Sequence, residues 1–261
     1  MRIDHTAFFN AYRDAYGRLS QSTNAGIELL GGHMEKDTEI TDLRWAAYML
    51  ATVKHECANT WLPITEKGAK NYFDKYETGT PIGKRLGNTE AGDGWKFRGR
   101  GYVQITGRAN YEKMTKVLDL SPEENLVNDP EQALRPAIAY RIMSVGMRKG
   151  LFTGKKLSDY INANGCDYKS ARQIINGLDQ WELIQGYAQT LEGVLRSATN
   201  YEYQLQSADG NLHRLAADDL KEVVYREGPV MPSFANRLSA TEIDDILSFL
   251  ARQTVRPRVS D

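Results

Sequence analysis

Cysteine is scarce in this chain: Cys57 and Cys166 are the only two among 261 residues. That argues against a disulfide framework and against a cysteine-based zinc site, which wants four ligands. Two separate buried thiols are expected instead. Long apolar runs are missing too. No stretch approaches the ~18 apolar residues of a spanning helix, so no membrane insertion is expected. An excess of one charge sign is also absent. Lys and Arg number 33 against 34 Asp and Glu, a net charge of −1, with no global pull toward nucleic acid or anionic membrane. Met1-Arg2-Ile3-Asp4-His5 is polar and has no apolar signal-peptide core. The expectation is synthesis in the cytoplasm, with release by another agent for any task outside. Gly99-Arg100-Gly101 leads to no Gly-Lys-Ser/Thr ending, so it is not a phosphate loop.

What is present is ordinary globular composition, 41% hydrophobic and 26% charged, on a chain long enough for one large domain or a domain with an extension. Phe8, Phe9, Tyr12 and Tyr16 recur at helical spacing over 4–16. A second helix is predicted from a Ser20 cap to Leu30, stopped by Gly31-Gly32, with a polar loop over 32–40. Thr41 is the expected cap of a central helix that runs through Trp45, Tyr48, Leu50 and Val53 to about Cys57. Further helices are predicted over 110–118, from a start at Asn128-Asp129-Pro130 to Lys149-Gly150, over 157–161, and over 181–195.

Glu56 falls in the last turn of the central helix. The negative helix end and the apolar face beside it both disfavour a charged carboxylate, as a general acid at neutral pH requires. Residues 58–98 follow, rich in Gly, Asn, Thr, Lys and Glu, a long loop region of the kind that carries function. Trp61, Tyr72, Phe73, Tyr76, Trp95 and Phe97 interleave with it; such rings either stack on sugar faces or pin the loops to the core. Tyr102, Val103 and Ile105 read as strand-like. Asn176-Gly177 ends an apolar run as a turn whose amide can face a cleft. Two carboxylates ten positions apart, Glu56 and Glu66, ahead of a Gly-rich segment carrying Gln, Thr, Arg, Asn and Tyr, describe a cleft that binds and cuts a polar polymer.

Beyond about residue 198 the character changes. Tyr201–Gln206 alternates, Asp209-Gly210 is a hairpin signal and Leu212–Leu215 follows. Ser239–Glu242 resembles a capping box ahead of a last helix through Ile243, Ile246, Leu247 and Leu250. The expected division is a helical domain over 1–198 and a hairpin-plus-helix extension over 199–261. Residues 200–261 hold 7 Lys and Arg and 10 Asp and Glu, so this is no basic tail.

His55-Glu56, Pro63-Ile64-Thr65-Glu66, Tyr72-Phe73, Leu86-Gly87-Asn88, Gly92-Asp93-Gly94, the run from Arg98 to Tyr111 and Ile174-Ile175-Asn176-Gly177 occur in that order. Together they resemble the family 19 glycoside hydrolases, the class I chitinases and lysozyme-like phage endolysins, over roughly residues 5–196. The resemblance implies a mainly α, lysozyme-like catalytic domain with long cleft loops that hydrolyses a β-1,4 bond in peptidoglycan or chitin, without metal or cofactor. It implies Glu56 as general acid, Glu66 as base with Glu77 in reserve, and Thr106 holding the attacking water. His55, Tyr102, Gln104, Arg108, Asn110 and Asn176 match substrate-binding positions. The implied partner is a cell-wall polysaccharide, met by a monomer. Residues 200–252, with Met231-Pro232, are also similar to the end of bacterial cytochrome-c-like modules, but the chain has no Cys-x-x-Cys-His site to attach haem.

Overall fold

The computed structural model describes residues 2–198, 202–206 and 212–216. The chain forms two compact units, Met1–Tyr203 and Gln204–Asp261. The first three helices start where a short polar side chain can bond a free N–H of the first turn. α1 (His5–Tyr16) starts on Asp4, which accepts from Ala7 N–H at 3.0 Å. α2 (Gln21–Lys36) starts on Ser20, which accepts from Thr23 N–H at 3.1 Å. α3 (Leu43–Glu56) starts on Asp42, not Thr41: the Asp42 carboxylate accepts from Arg44 N–H and also binds the Arg44 guanidinium at 2.6 Å.

α2 runs six residues past the expected stop. Leu30 and Met34, one turn apart, are both fully buried, and Gly31 is buried facing Ile3 and His5. Burial of that stripe outweighs the weak helix preference of the glycine pair. α3 is buried continuously from Ala46 to Lys54, as expected of a helix apolar all round.

Residues 58–98 are not one open loop. They contain β1 (Ile64–Thr65), a 3-10 helix (Lys70–Tyr76), α4 (Pro81–Arg85) and α5 (Asp93–Lys96). β2 is only Arg100–Gly101, antiparallel to β1 with Ile64 opposite Gly101 and Thr65 opposite Arg100. The longer strand expected through Tyr102, Val103 and Ile105 does not form. Gly101 has φ of +88°, the chain turns back, and Arg100 bridges to Ile105, so the three apolar side chains are buried in the core from a tight turn.

α6 spans Arg108–Val117. The helix expected from Asn128 to Lys149 is broken. A 3-10 helix covers Pro130–Leu134, and α7 (Pro136–Lys149) restarts at Pro136, which has no N–H to continue the first segment. α8 (Leu157–Tyr160), the strand pair β3 (Ile161–Asn162) and β4 (Gly165–Cys166), α9 (Tyr168–Ala171) and α10 (Trp181–Ala198) follow. α10 lies along α3 and packs against α1, and Asp4 N–H donates to the Ala198 carbonyl at 2.8 Å. Cys57 is buried, but Cys166 lies exposed on the β3–β4 hairpin rather than buried.

β5 (Glu202–Gln206) and β6 (Leu212–Ala216) pair as a two-stranded sheet, where the hairpin strands were expected. The Asp209-Gly210 turn, Met231-Pro232 and the predicted last helix lie outside the described residues. No helix among the described residues is long and apolar enough to cross a membrane.

Candidate active site

Glu56 is the last residue of α3. The helix ends there because Ala58 and Asn59 adopt left-handed φ of 48° and 61°, and Asn59 N–H closes back onto the Lys54 carbonyl at 3.0 Å. Next to Glu56, the buried Cys57 thiol reaches the carbonyls of Gly101 and Tyr102 at 3.8 and 3.7 Å. The Glu56 helix is thereby seated on the β2 turn. β2 pairs with β1, and β1 leads straight into Glu66. One hydrogen-bonded frame therefore carries both carboxylates.

Their surroundings differ. Glu56 Oε1 accepts from Arg172 Nη1 at 2.8 Å. Arg172 is 2% exposed and also donates through Nε to the Asp179 carbonyl. To the helix end and apolar face read from the sequence, the structure adds a fixed positive charge. Glu66 is half-buried. Its Oε2 accepts from Gly99 N–H at 3.1 Å and its Oε1 from the Tyr76 hydroxyl at 3.2 Å, while its own N–H donates to the Gly99 carbonyl. Burial, and then the Glu66 charge, raise the Tyr76 pKa above the ordinary phenol value, so the hydroxyl stays a donor.

Gly99 is the point where these groups converge. A Cβ there would lie 3.1 Å from Glu66 Oε2 and 3.0 Å from Gln104 Oε1. Gln104, itself at φ of 53°, uses its amide nitrogen to staple the Ile64 and Gly101 carbonyls at 2.9 and 2.8 Å. Thr106 donates to the Gln104 carbonyl at 3.0 Å, and Asn110 donates to the Thr106 carbonyl at 2.7 Å. Gln104, Thr106 and Asn110 are thus placed in series behind Glu66.

The other expected site residues are placed differently. Arg108 is buried and forks onto Asp93 at 2.8 and 2.7 Å, with Glu90 at 2.7 Å, so its guanidinium is committed to the scaffold. Burial works against a charged Asp93, but Arg108 and the N–H groups of Glu90 and Thr89 outweigh it and hold its pKa below the usual carboxylate range. The same scaffold reaches the site. Arg108 N–H donates to Asn88 Oδ1, and Asn88 Nδ2 donates to the Tyr76 carbonyl. Tyr102 is fully buried in the core and presents no face to a cleft. Glu77, the reserve base, accepts from Gly92 and Gly94 N–H at 2.8 and 3.1 Å and holds the start of α5. His55 is half-buried beside Glu56, and Asn176 is exposed on the turn after Arg172. Of the interleaved aromatics, Trp61, Phe73 and Phe97 are core, Tyr76 is half-buried, and Tyr72 and Trp95 are exposed.

Two contributors carried no sequence signal of their role. Arg172 lies 116 positions from Glu56, and Tyr76 stood only as one aromatic among six. Among the described residues no cluster of His, Cys, Asp and Glu is arranged to hold a metal. The arrangement has one carboxylate held against a guanidinium and one held by neutral donors.

No family model matches the chain. A Haemophilus influenzae protein described as glycosyl hydrolase family 19 domain-containing is 28% identical over 157 residues, 54% of this chain and 78% of that protein. Chitinase C from Streptomyces griseus shares the fold with a TM-score of 0.51 at 16% identity, over 76% of this chain and 79% of that one. A chitinase C mutant shares it with a TM-score of 0.52 at 15% identity, over the same proportions. The description of the sequence relative and the fold shared with the chitinase structures both point to the family whose motif order residues 55–177 resemble, the family 19 glycoside hydrolases.

Proposed function

We propose that the chain hydrolyses β-1,4 glycosidic bonds in peptidoglycan by an inverting mechanism. The observation that supports it is the mounting of Glu56 and Glu66 on one frame with opposite kinds of partner. Arg172 binds Oε1 of Glu56 and fixes its rotamer, and Oε2 then serves as the proton donor to the leaving oxygen. Glu66 takes the proton of a water on the far face of the ring, steadied by Thr106. Inversion calls for carboxyls roughly 6.5–9.5 Å apart, so that water fits between them. The compact loop set and the ten-residue spacing of the two carboxylates favour peptidoglycan. In this reading residues 1–198 hold the whole apparatus, 199–261 are an appendage, and the protein meets the cell wall after release from the cytoplasm.

A second reading is chitin hydrolysis, favoured by the two chitinase structures that share the fold. A saccharide-binding protein without catalysis is disfavoured by the intact Glu56, Glu66 and Thr106. Turbidity loss of purified peptidoglycan, run beside release of soluble sugar from chitin, separates the three. Glu56→Gln should lower turnover at least ~100-fold while the protein still melts cooperatively. A variant keeping a third of the activity would remove Glu56 from the role, and sugar release from chitin alone would replace the substrate.

A further inference from the structure

Charge is unevenly spread along the chain. Residues 66–100 hold eight Lys and Arg against five Asp and Glu, in a protein whose net charge is −1. The acids of that stretch are mostly occupied. Glu77 holds the start of α5, and Glu90 and Asp93 are taken by Arg108, which lies outside the stretch. Lys67, Lys70 and Lys75 take part in no ion pair among the described residues. Arg98 and the buried Arg100 share one carboxylate, Glu131, at 4.0 and 2.6 Å, which leaves a positive charge in excess.

Two of these cations, Lys75 and Arg98, are placed on exposed rings. Lys75 Nζ lies 3.5 Å from the Tyr72 ring centroid and 4.8 Å from that of Tyr76, whose hydroxyl binds Glu66. The Arg98 guanidinium lies 4.0 Å from the Trp95 centroid, and the next residue, Gly99, donates to Glu66. A ring with a cation on its face offers less bare surface to a sugar and more attraction to an anion. Lys67 and Lys70 follow Glu66 directly in the chain and are both exposed.

We propose that Lys75 and Arg98, on the Tyr72 and Trp95 rings, together with Lys67 and Lys70 just after Glu66 in the chain, bind the carboxylates of the peptide stems carried by the glycan strand, beside the base. The proposal rests on the peptidoglycan reading and deepens it. An uncharged amino-sugar polymer gives these cations nothing to pair with, whereas a peptide-bearing strand presents a carboxylate array. Electrostatic attraction of this kind acts on capture and register of the strand rather than on bond cleavage.

The test compares kcat/KM of the full chain on peptidoglycan with stems intact and on the same material stripped of stems by an amidase, with an N-acetylglucosamine hexamer alongside. The wild-type ratio of intact to stripped should exceed one. Lys75→Gln should reduce it about fivefold, chiefly through KM, the scale of one exposed ion pair, and Lys75→Arg should restore it. The ratio should also fall between about 0.01 M and about 0.15 M salt, as the screening length shortens from about 30 Å to about 8 Å. A Lys67→Gln/Lys70→Gln variant tests the same proposal without touching a ring. A ratio near one, or one unmoved by these substitutions and by salt while peptidoglycan is still cut, overturns the proposal and spares the substrate reading. Cleavage of the hexamer with none of peptidoglycan overturns both.

Discussion

At the scale of single residues, the site depends on a missing side chain. A Cβ on residue 99 would crowd Glu66 Oε2 and Gln104 Oε1, at 3.1 and 3.0 Å. Gly99→Ala should push the base off its N–H donor and away from the water. A displacement well under 1 Å suffices for a rate loss of about tenfold or more, read as kcat on peptidoglycan with the melting temperature held within a few degrees. The strings holding Glu56, Glu66, Gln104 and Thr106 were legible as one candidate cleft because they are short and ordered, and the structure brings Glu66 and Gln104 together at Gly99. Facing was not legible. Tyr102 sits in an apolar run and went to the core, and Arg108 found Asp93 fifteen positions upstream. Long-range partners leave no local trace, so Arg172 was invisible as the partner of Glu56.

At the scale of elements, the short 3-10 segment Arg172–Ile174 is a brace between α9 and the end of α3. Arg172→Gln should remove the ion pair and leave Glu56 without its fixed partner. The expected cost is about 2–3 kcal/mol, below that of a fully buried pair because Glu56 keeps some solvent contact. Thermal melting measures that cost, and the accompanying fall in kcat measures the lost positioning. A variant as stable and as active as the wild type would dismiss the brace. Element existence was readable wherever apolar periodicity was strong, as in α1, α3, α6 and α10. Boundaries failed where a tertiary contact overrode a local signal. Gly31-Gly32 passes inside α2 because the stripe from Leu30 to Met34 is buried, and Pro136 divides a run whose apolar pattern is continuous.

At the scale of the whole molecule, the core is dense in ionisable groups kept neutral. Burial raises the pKa values of the Tyr12, Tyr48, Tyr102, Tyr140 and Tyr168 hydroxyls above the ordinary 10.0 and pushes Tyr111 up to about 12. Burial, and then the neighbouring Glu56 charge, push the Cys57 thiol from 9.0 to about 12. A raised folded-state value means that the folded chain keeps protons the unfolded chain gives up. The stability tied to these groups is therefore complete below the unfolded values of 9.0 and 10.0 and is lost as pH climbs toward the folded ones. The melting temperature should carry no loss from these groups at neutral pH and should fall steeply above about pH 10, with tyrosinate absorbance appearing together with loss of helical circular dichroism. Tyrosinate forming in full while the helices persist would contradict this.

The bond from Asp4 to Ala198, with α10 lying along α3, also bears on how the protein is made. A growing chain that has already delivered Glu56, Glu66 and Thr106 to the ribosome exit has neither Arg172 nor the helix that covers the acid's own. The Asp4–Ala198 contact joins residues almost two hundred apart in sequence, a non-local kind that is slow to form. Until Arg172 and α10 have been made, a growing chain therefore holds Glu56 without its ion-pair partner and without the helix packed along α3.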